Sequence, residues 1–401
     1  MEGNARMEGN RKTMNRNSSE LSGKSLVFTD LHVGISGDKP SRQKIAEKVI
    51  DEIIGRIETE GIKQVFFLGD LFHQRTAIEV TSLNVANDLV RRLAANCHVF
   101  LLQGNHDLYE KYNSVITSLN IFDLDNVDIV SVPTEVKLNG QNVLLVPWLC
   151  GTTIQEHIDR QNLSDRYDMM MGHFDIAYSG DIRYRGQKYV DAYKSGTVNF
   201  SEVDTSNVVS EILHHTNDFA TIYMGHIHDH ETLTFADRTW NIVGSPQYQV
   251  HDMKRLPDEK KMHGYYILDE RNSETFHQTA SIPRFVTVYA SDVVNGRLDE
   301  SKLKGAVVRR CYDMVMSDEQ KAKFDEIVND AKVYEEDSAV FVLGVSDGES
   351  DGGDESEQAE ELGIVVDKFD YIQKQIDQIS HPAIDNEKLK TMMREYYDRA
   401  V

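Results

Sequence analysis

QVFFLGDLFH, residues 64–73, is the stretch from which the rest of the chain is read. QVFFL (64–68) has the length and aromatic content of a short buried strand. It stops at Gly69-Asp70, and His73 follows. The same pattern recurs on either side. SLVFT (25–29) ends at Asp30, and CHVFLL (97–102) runs into Gly104-Asn105-His106-Asp107. Further strands are expected at 143–147, 168–171 and 219–224. Between them, 41–60 reads as an amphipathic helix with Ile45, Val49, Ile53 and Ile57 four apart. A second helix, 81–95, carries Leu83, Leu89, Val90 and Leu93 on one side. Strands alternating with helices predict an α/β layer architecture. Polar residues gathered at strand ends, rather than spread along strands, predict a site at the carboxyl edge of the sheets.

Composition narrows the class. The 401 residues are 40% hydrophobic and 27% charged, ordinary for a soluble globular protein of two or three domains. No apolar run reaches the roughly 18 residues a membrane span needs, so no membrane association and a cytoplasmic location are expected. Residues 1–22 are polar, lack the apolar core of a secretory signal, and repeat MEGN at 1–4 and 7–10. They read as a disordered tail, with Met7 as an alternative start. Cys97, Cys150 and Cys311 are far apart and form no CxxC, which argues against a disulfide framework or a zinc-thiolate site.

The net charge is −23, and residues 346–361 hold eight acids and no base. So few apolar groups cannot offset the ordering entropy, and 346–362 reads as a disordered linker. About −15 remains on the rest, so long-range attraction to a nucleic acid is not written in the charge. A phosphate-binding role needs a local positive centre, which bound metals would supply.

Before the linker, 281–345 reads as a smaller α+β unit. Its strands are expected at 284–290, 306–316 and 338–343, and its helix at 318–332, with Ser317 and Gln320 as a candidate capping box. After the linker, 363–401 reads as helical. Val366, Phe369, Ile372, Ile376 and Ile379 step by three or four, Pro382 interrupts, and Leu389, Met392, Met393, Tyr396 and Tyr397 resume. Such a hairpin cannot bury its apolar face alone and should dock on a partner.

Five pieces carry the chemistry: FTDLHVG (28–34), FLGDLFH (67–73), QGNHD (103–107), MGHFD (171–175) and MGHIHDH (224–230). Each alone is background; together, in order, at strand ends, they point to a dinuclear metal site. Two divalent ions about 3.5–4 Å apart can clamp the attacking and leaving oxygens of a phosphoryl group. Imidazole, carboxylate and amide donors suit Mn²⁺, Fe²⁺ or Zn²⁺ better than Mg²⁺ or Ca²⁺. Asp30 and His32, two apart, can point the same way at a strand end, and His226 and His228 repeat that spacing.

The pattern DxH, GD, GNHD, GH, GHxH resembles the calcineurin-like metallophosphoesterases. The finer form, DLHVG with GDLFH and GNHD, is similar to the SbcD-type double-strand-break repair nucleases and their phage recombination-endonuclease counterparts. The likeness covers roughly residues 25–280, with VGSPQYQ (243–249) and GYYILDE (264–270) resembling the end of that nuclease domain. It implies a four-layer sandwich, two β-sheets flanked by helices, over residues 23–280. A cap domain at 281–345 and a helical segment at 363–401 docking on an SMC-like ATPase of the SbcC type would follow. It implies that Asp30, His32, Asp70 and His228 bind one metal, and that Asp70, Asn105, His173 and His226 bind the other, with Mn²⁺ the expected ion. His106 would stabilise the transition state or protonate the leaving sugar oxygen, oriented by Asp107, while an activated water attacks. DNA is the implied substrate. A homodimer through helices near 70–95 is implied as well.

Other residues are weighed against plainer roles. His73 reads as structural or as support for the ligands, His230 as outside the pattern, and His214-His215 as helix surface. SGKS (22–25) mimics a phosphate-binding loop, but Ser18 stands where its first Gly is required and a strand follows, so ATP hydrolysis falls to the partner. DIRYRGQKYVDAYK (181–194) interleaves Arg183, Arg185, Lys188 and Lys194 with tyrosines; it either grips a DNA backbone or is a solvated loop. The competing functions are a phosphomonoesterase or protein phosphatase, whose usual GDxxDRG is here GDLFHQR, and a non-catalytic scaffold.

Overall fold

In a computed structural model, the structure describes residues 20–35, 40–110, 113–150, 152, 154–164, 166–174, 178–179, 182–183, 220–235, 238–249, 262–314, 316–335 and 339–340. The chain divides into two compact units, 1–339 and 340–401, and the first holds the strands and helices from Ser25 to Glu335. Of the tail expected at 1–22, residues 1–19 lie outside the described residues, as do 346–362 and 363–401, whereas Leu21 is bridged to Leu138.

The chain begins β1 (Ser25–Phe28), α1 (Pro40–Glu60), β2 (Gln64–Phe67), α2 (Val80–Asn96) and β3 (His98–Leu102). A hairpin of β4 (Leu108–Glu110) and β5 (Asn113–Thr117) leads to β6 (Val127–Val130), β7 (Thr134–Leu138) and β8 (Gln141–Val146). Then come α3 (Ile154–Gln161), β9 (Met169–His173) and the two-residue strands β10 (Tyr178–Ser179) and β11 (Ile182–Arg183). β12 (Thr221–Gly225), β13 (Glu231–Phe235), β14 (Arg238–Ile242), β15 (Gly264–Leu268) and β16 (Glu274–Gln278) complete the sequence of strands up to residue 278.

Twelve of these strands form two six-stranded sheets, ordered β16-β15-β1-β2-β3-β6 and β13-β14-β12-β9-β8-β7, and β4-β5 and β10-β11 are separate pairs. In the first, β1, β2, β3 and β6 run parallel, and β15 and β16 close one edge antiparallel. In the second, β14, β12, β9 and β8 run parallel between antiparallel edges. All the strands expected to carry ligands are therefore parallel within their own sheet, and their carboxyl ends share an edge.

The alternation of side chains explains the layering. Leu26, Phe28, Val65, Phe67, Val99 and Leu101 pack under Val49, Ile53, Leu89 and Leu93 of α1 and α2. The intervening Val27, Phe66, Phe100 and Leu102 pack against Val143, Leu145, Met171 and Tyr223 of the other sheet. Strands buried on both faces read as continuous apolar runs, which is why QVFF and HVFLL carry no polar alternation. The fold is the two-sheet, helix-flanked α/β sandwich that the sequence resemblance implied.

A third sheet orders β17 (Phe285–Tyr289), β18 (Ala306–Tyr312) and β19 (Lys332–Glu335) in parallel. With α4 (Ala290–Val294) and α5 (Asp318–Ala331) it buries its own cluster around Val286, Val288, Val308, Phe324 and Val328. α5 starts in the reciprocal box its sequence announces: Ser317 N donates to Gln320 Oε1 at 2.9 Å, and Gln320 N to Ser317 Oγ at 3.2 Å. This sheet is fastened to the larger sandwich through Phe285, which packs with Ile45 and carries the Arg42 guanidinium 4.1 Å above its ring.

Candidate metal centre

Four of the residues at the sheets' shared edge have left-handed backbones: Asp30 (φ 53°), His32 (φ 46°), Asp70 (φ 58°) and His226 (φ 88°). For residues with a Cβ that conformation costs about 1–3 kcal/mol each and persists only where the surroundings impose it. The surroundings here are glycines that let strand ends approach. A Cβ on Gly104 would lie 2.2 Å from Asp70 Oδ1, and one on Gly225 would lie 2.2 Å from Thr29 Oγ1.

Asp30, His32 and His228 form one group whose ligand atoms all lie within 4.8 Å of one another. Asp30 Oδ2 accepts from Thr29 Oγ1 (2.7 Å) and from His226 N (2.9 Å). Its other oxygen, Oδ1, is buried without a hydrogen-bond partner, 3.6 Å from both His32 Nε2 and His228 Nε2. Those two nitrogens are 3.2 Å apart. Burial pushes both imidazoles down, His228 to about 3, so both are neutral and present lone pairs. A buried carboxylate oxygen and two neutral imidazoles facing one space is a donor set for a divalent cation.

Asp70, His173 and His226 form a second such group. His173 is fixed by its Nδ1, which donates to Leu68 O at 2.7 Å across the two sheets. Its Nε2 lies 2.9 Å from Asn105 Oδ1, and His226 Nδ1 lies 3.0 Å from the same oxygen. Burial alone would depress His173, but the Asp70 carboxylate reverses the sign and carries it to about 9. Asp70 Oδ2 stands between the groups, 3.4 Å from His32 Nε2 and 3.4 Å from His173 Nε2. Burial pushes Asp70 up, yet His173, His106 and His32 around it hold it well below the usual carboxylate range.

His106 stands beside the centre, half-buried. Its N–H donates to Asp70 Oδ1 (2.7 Å), and its Nδ1 is held by His73 O (2.7 Å). Asp107 does not orient it, contrary to expectation. The Asp107 carboxylate turns inward and accepts from Asp70 N (2.9 Å), Leu71 N (3.0 Å), Phe72 N (3.3 Å) and Gly104 N (3.0 Å). It shapes the turn that carries Asp70, and burial together with the Asp70 charge raises its pKa.

Other residues join the cluster. His73 Nδ1 lies 3.4 Å from His32 Nδ1, and His32, His73 and His106 make a third group able to hold an ion. The Trp148 ring centroid is 5.1 Å from that of His226 and 6.0 Å from that of His173. Behind Asp30, Ser245 Oγ and Gln249 Nε2 donate to its carbonyl at 2.8 and 2.7 Å, and Gln247 Nε2 donates to Leu31 O at 2.6 Å. VGSPQYQ, which resembled the end of the domain, thus holds the strained turn from behind. His230 turns away, stacked on Phe276 with centroids 3.7 Å apart. Arg183 ends a two-residue strand paired with Tyr178–Ser179, while Arg185, Lys188, Lys194, His214 and His215 lie outside the described residues.

Residues 23–230 match the calcineurin-like phosphoesterase family. The chain belongs to that family. Calcineurin-like phosphoesterases are metal-dependent hydrolases of phosphoester bonds, and the Asp and His groups of this member could hold metal ions. Exonuclease subunit 1 of Enterobacteria phage T4 is 29% identical over 172 residues, 41% of this chain and 49% of that protein, so the match spans about half of the relative's length. Among solved structures, an archaeal phosphodiesterase is 11% identical with a TM-score of 0.29, covering 64% of this chain and 99% of its own. GAP50, the anchor in the inner membrane complex of Plasmodium, is 12% identical with a TM-score of 0.39, covering 65% and 86%. No described helix is long and apolar enough to cross a membrane.

Proposed function

We propose that this phosphoesterase is a DNA nuclease that hydrolyses phosphodiester bonds at DNA ends in recombination or repair. The observation that carries the reading is the run GDLFH, whose His73 packs on His32 and holds His106 through its carbonyl. The likeness to a phage exonuclease subunit supports it. Asp30, His32, Asp70 and His228 would hold one ion and Asp70, Asn105, His173 and His226 the other. Mn²⁺ suits this mixed nitrogen and oxygen set. When bound, the ions supply an activated water and charge neutralisation at the phosphorus.

The chain's own residues do the rest. Asp70 Oδ2 stands where both groups share it. His106, with Nδ1 held by His73 O, keeps Nε2 for the substrate, where it would protonate the leaving sugar oxygen. We propose further that 281–345 acts as a cap and that 363–401 docks on an SMC-like ATPase. A homodimer through the region near 70–95, a cytoplasmic site of action and DNA contacts from Arg183, Arg185, Lys188 and Lys194 complete the proposal.

The test is direct. Purified chain with Mn²⁺ is given linear DNA in parallel with a phosphomonoester, each with an EDTA control. Cleavage of DNA, lost with EDTA, is the expected result. Rapid turnover of the monoester with intact DNA would move the assignment to a phosphatase.

A further inference from the structure

Among the parallel strands that reach the shared edge, β1, β2, β3, β9 and β12 each deliver proposed ligands. β8 reaches the same edge beside β9, with Val146 opposite Gly172, and delivers none. Two residues on, past Pro147, it delivers Trp148. The Trp148 backbone N–H donates to Gln103 O at 2.8 Å, which ties it to the loop that carries Asn105 and His106. Its ring lies against two proposed ligands, with centroids 5.1 Å from His226 and 6.0 Å from His173, inclined 43° and 68° to their planes. That ring is only half-buried, whereas Trp240, the other tryptophan of the chain, is 0% exposed inside the second sheet. Indole offers an N–H and no lone pair, so Trp148 is no metal ligand. A large aromatic surface beside the ligands, partly open to solvent, is placed to meet what the ions bind.

We propose that Trp148 is the stacking platform for an unpaired nucleobase of the DNA, on the His173–His226 side of the centre. The inference rests on the DNA reading above and names the part of the DNA, besides the phosphate, that the site holds. Every base has a π face, so an aromatic ring takes unpaired nucleotides without regard to sequence. Inside a duplex both faces of a base are covered by its neighbours, so the platform takes a base freed at an end. Stacking also suits the charge of this chain. A net charge of −23 gives no long-range attraction to a phosphate backbone, whereas a base is uncharged and meets indole at short range. A base held beside the ligands fixes its own phosphate relative to the centre.

A plainer role competes. As a wall alone, the indole would shield His226 and His173 from water and fix their rings. Its loss would then weaken Mn²⁺ binding, or slow every phosphodiester alike.

The bases themselves separate the two. The full-length chain is prepared as wild type, Trp148→Ala and Trp148→Phe, and the Mn²⁺ affinity of each is measured. Each loaded protein is then given two single-stranded oligomers of equal length, one of ordinary deoxynucleotides and one with a tetrahydrofuran spacer in place of every nucleoside. The two carry the same phosphodiesters and differ only in their bases. The platform predicts that the wild type prefers the base-bearing oligomer in kcat/KM by roughly tenfold or more. Trp148→Ala should lose that preference and Trp148→Phe keep much of it, with Mn²⁺ affinity unchanged. No preference in the wild type, a preference that survives in Trp148→Ala, or a weakened Mn²⁺ affinity in Trp148→Ala would each overturn it. A base-bearing oligomer left intact by the wild type would overturn it too. Linear duplex DNA run alongside then decides the wider reading: a cleaved duplex keeps the nuclease, and an intact duplex removes it as well.

Discussion

His32 Nε2 lies 3.2 Å from His228 Nε2, across 196 residues of chain. His32 is buried and His228 half-buried, and desolvation keeps both imidazoles neutral, so their lone pairs face the same point with the unpartnered Asp30 Oδ1. Replacing His228 by Ala should therefore remove one metal equivalent while the fold stays intact. Metal counting by inductively coupled plasma spectrometry on folded protein measures this. A full metal complement in His228→Ala would refute its role as a ligand.

Metal uptake should release a proton from His173. Its pKa in the folded, metal-free chain is about 9, against an ordinary 6.5, and ligation requires the neutral ring. Near pH 7.5 about one proton should leave per ion bound there, falling to none above pH 9. His32 and His228 contribute none, since both are already neutral. Calorimetric titration in two buffers of different ionisation enthalpy gives the count. The same raised pKa stabilises the metal-free fold, fully below pH 6.5, and that stability fades as pH climbs through 9. The metal-loaded chain should lack this alkaline loss.

Asp107→Asn tests the inward-facing carboxylate. The amide loses half the acceptors for four backbone N–H groups and brings its own donors against them. About 2–3 kcal/mol of stability should go, together with metal affinity, because the Asp70 turn loses its mould. Denaturant unfolding and metal titration are the readouts. An unchanged fold with only a shifted pH–rate profile would instead return Asp107 to the role of orienting His106.

His106→Gln should retain both ions and lose cleavage by about 10²–10⁴-fold, the usual span for a general acid. Loss of a metal equivalent in this variant would instead make His106 a ligand, through the group it forms with His32 and His73.

Gly104→Ala should cost more than its single methyl suggests. The new carbon would sit 2.2 Å from Asp70 Oδ1 and 2.3 Å from Asp70 N, and backbone cannot swing aside as a long side chain can. A melting temperature lower by several degrees and weakened Mn²⁺ binding are expected, an overpacking loss of about 1–3 kcal/mol or more.

The parallel strands and both long helices could be read in the sequence because their signals are local. Ile45, Val49, Ile53 and Ile57 repeat at helix spacing, and QVFF and HVFLL are uninterrupted because both faces are buried. The candidate ligands could be placed together for a related reason: each lies at or just beyond the end of a strand, and a topology of parallel strands must bring those ends to one edge. What could not be read is what depends on direction. Asp107 and His106 are adjacent, and nothing in NHD says that one side chain turns into the sheet and the other out. Trp148, Ser245 and Gln249 follow no periodic pattern; their partners are set by φ angles and by strand ends remote in sequence. The VGSPQYQ carbonyl contacts needed three-dimensional placement, since Ser245 and Asp30 are 215 residues apart.

Residue 230 closes the stretch that matches the family, and all the proposed ligands precede it. The groups that grip Asp30 from behind come later, at Ser245 and Gln249, and β15, which pairs with β1, comes later still. A fragment cut after residue 230 would thus hold every proposed ligand and be mechanically unfinished. The smallest portable piece of this hydrolase is fixed by its scaffolding and reaches at least to β15, so designs that transplant the centre by its motifs alone should yield chains with the right donors and no grip on metal.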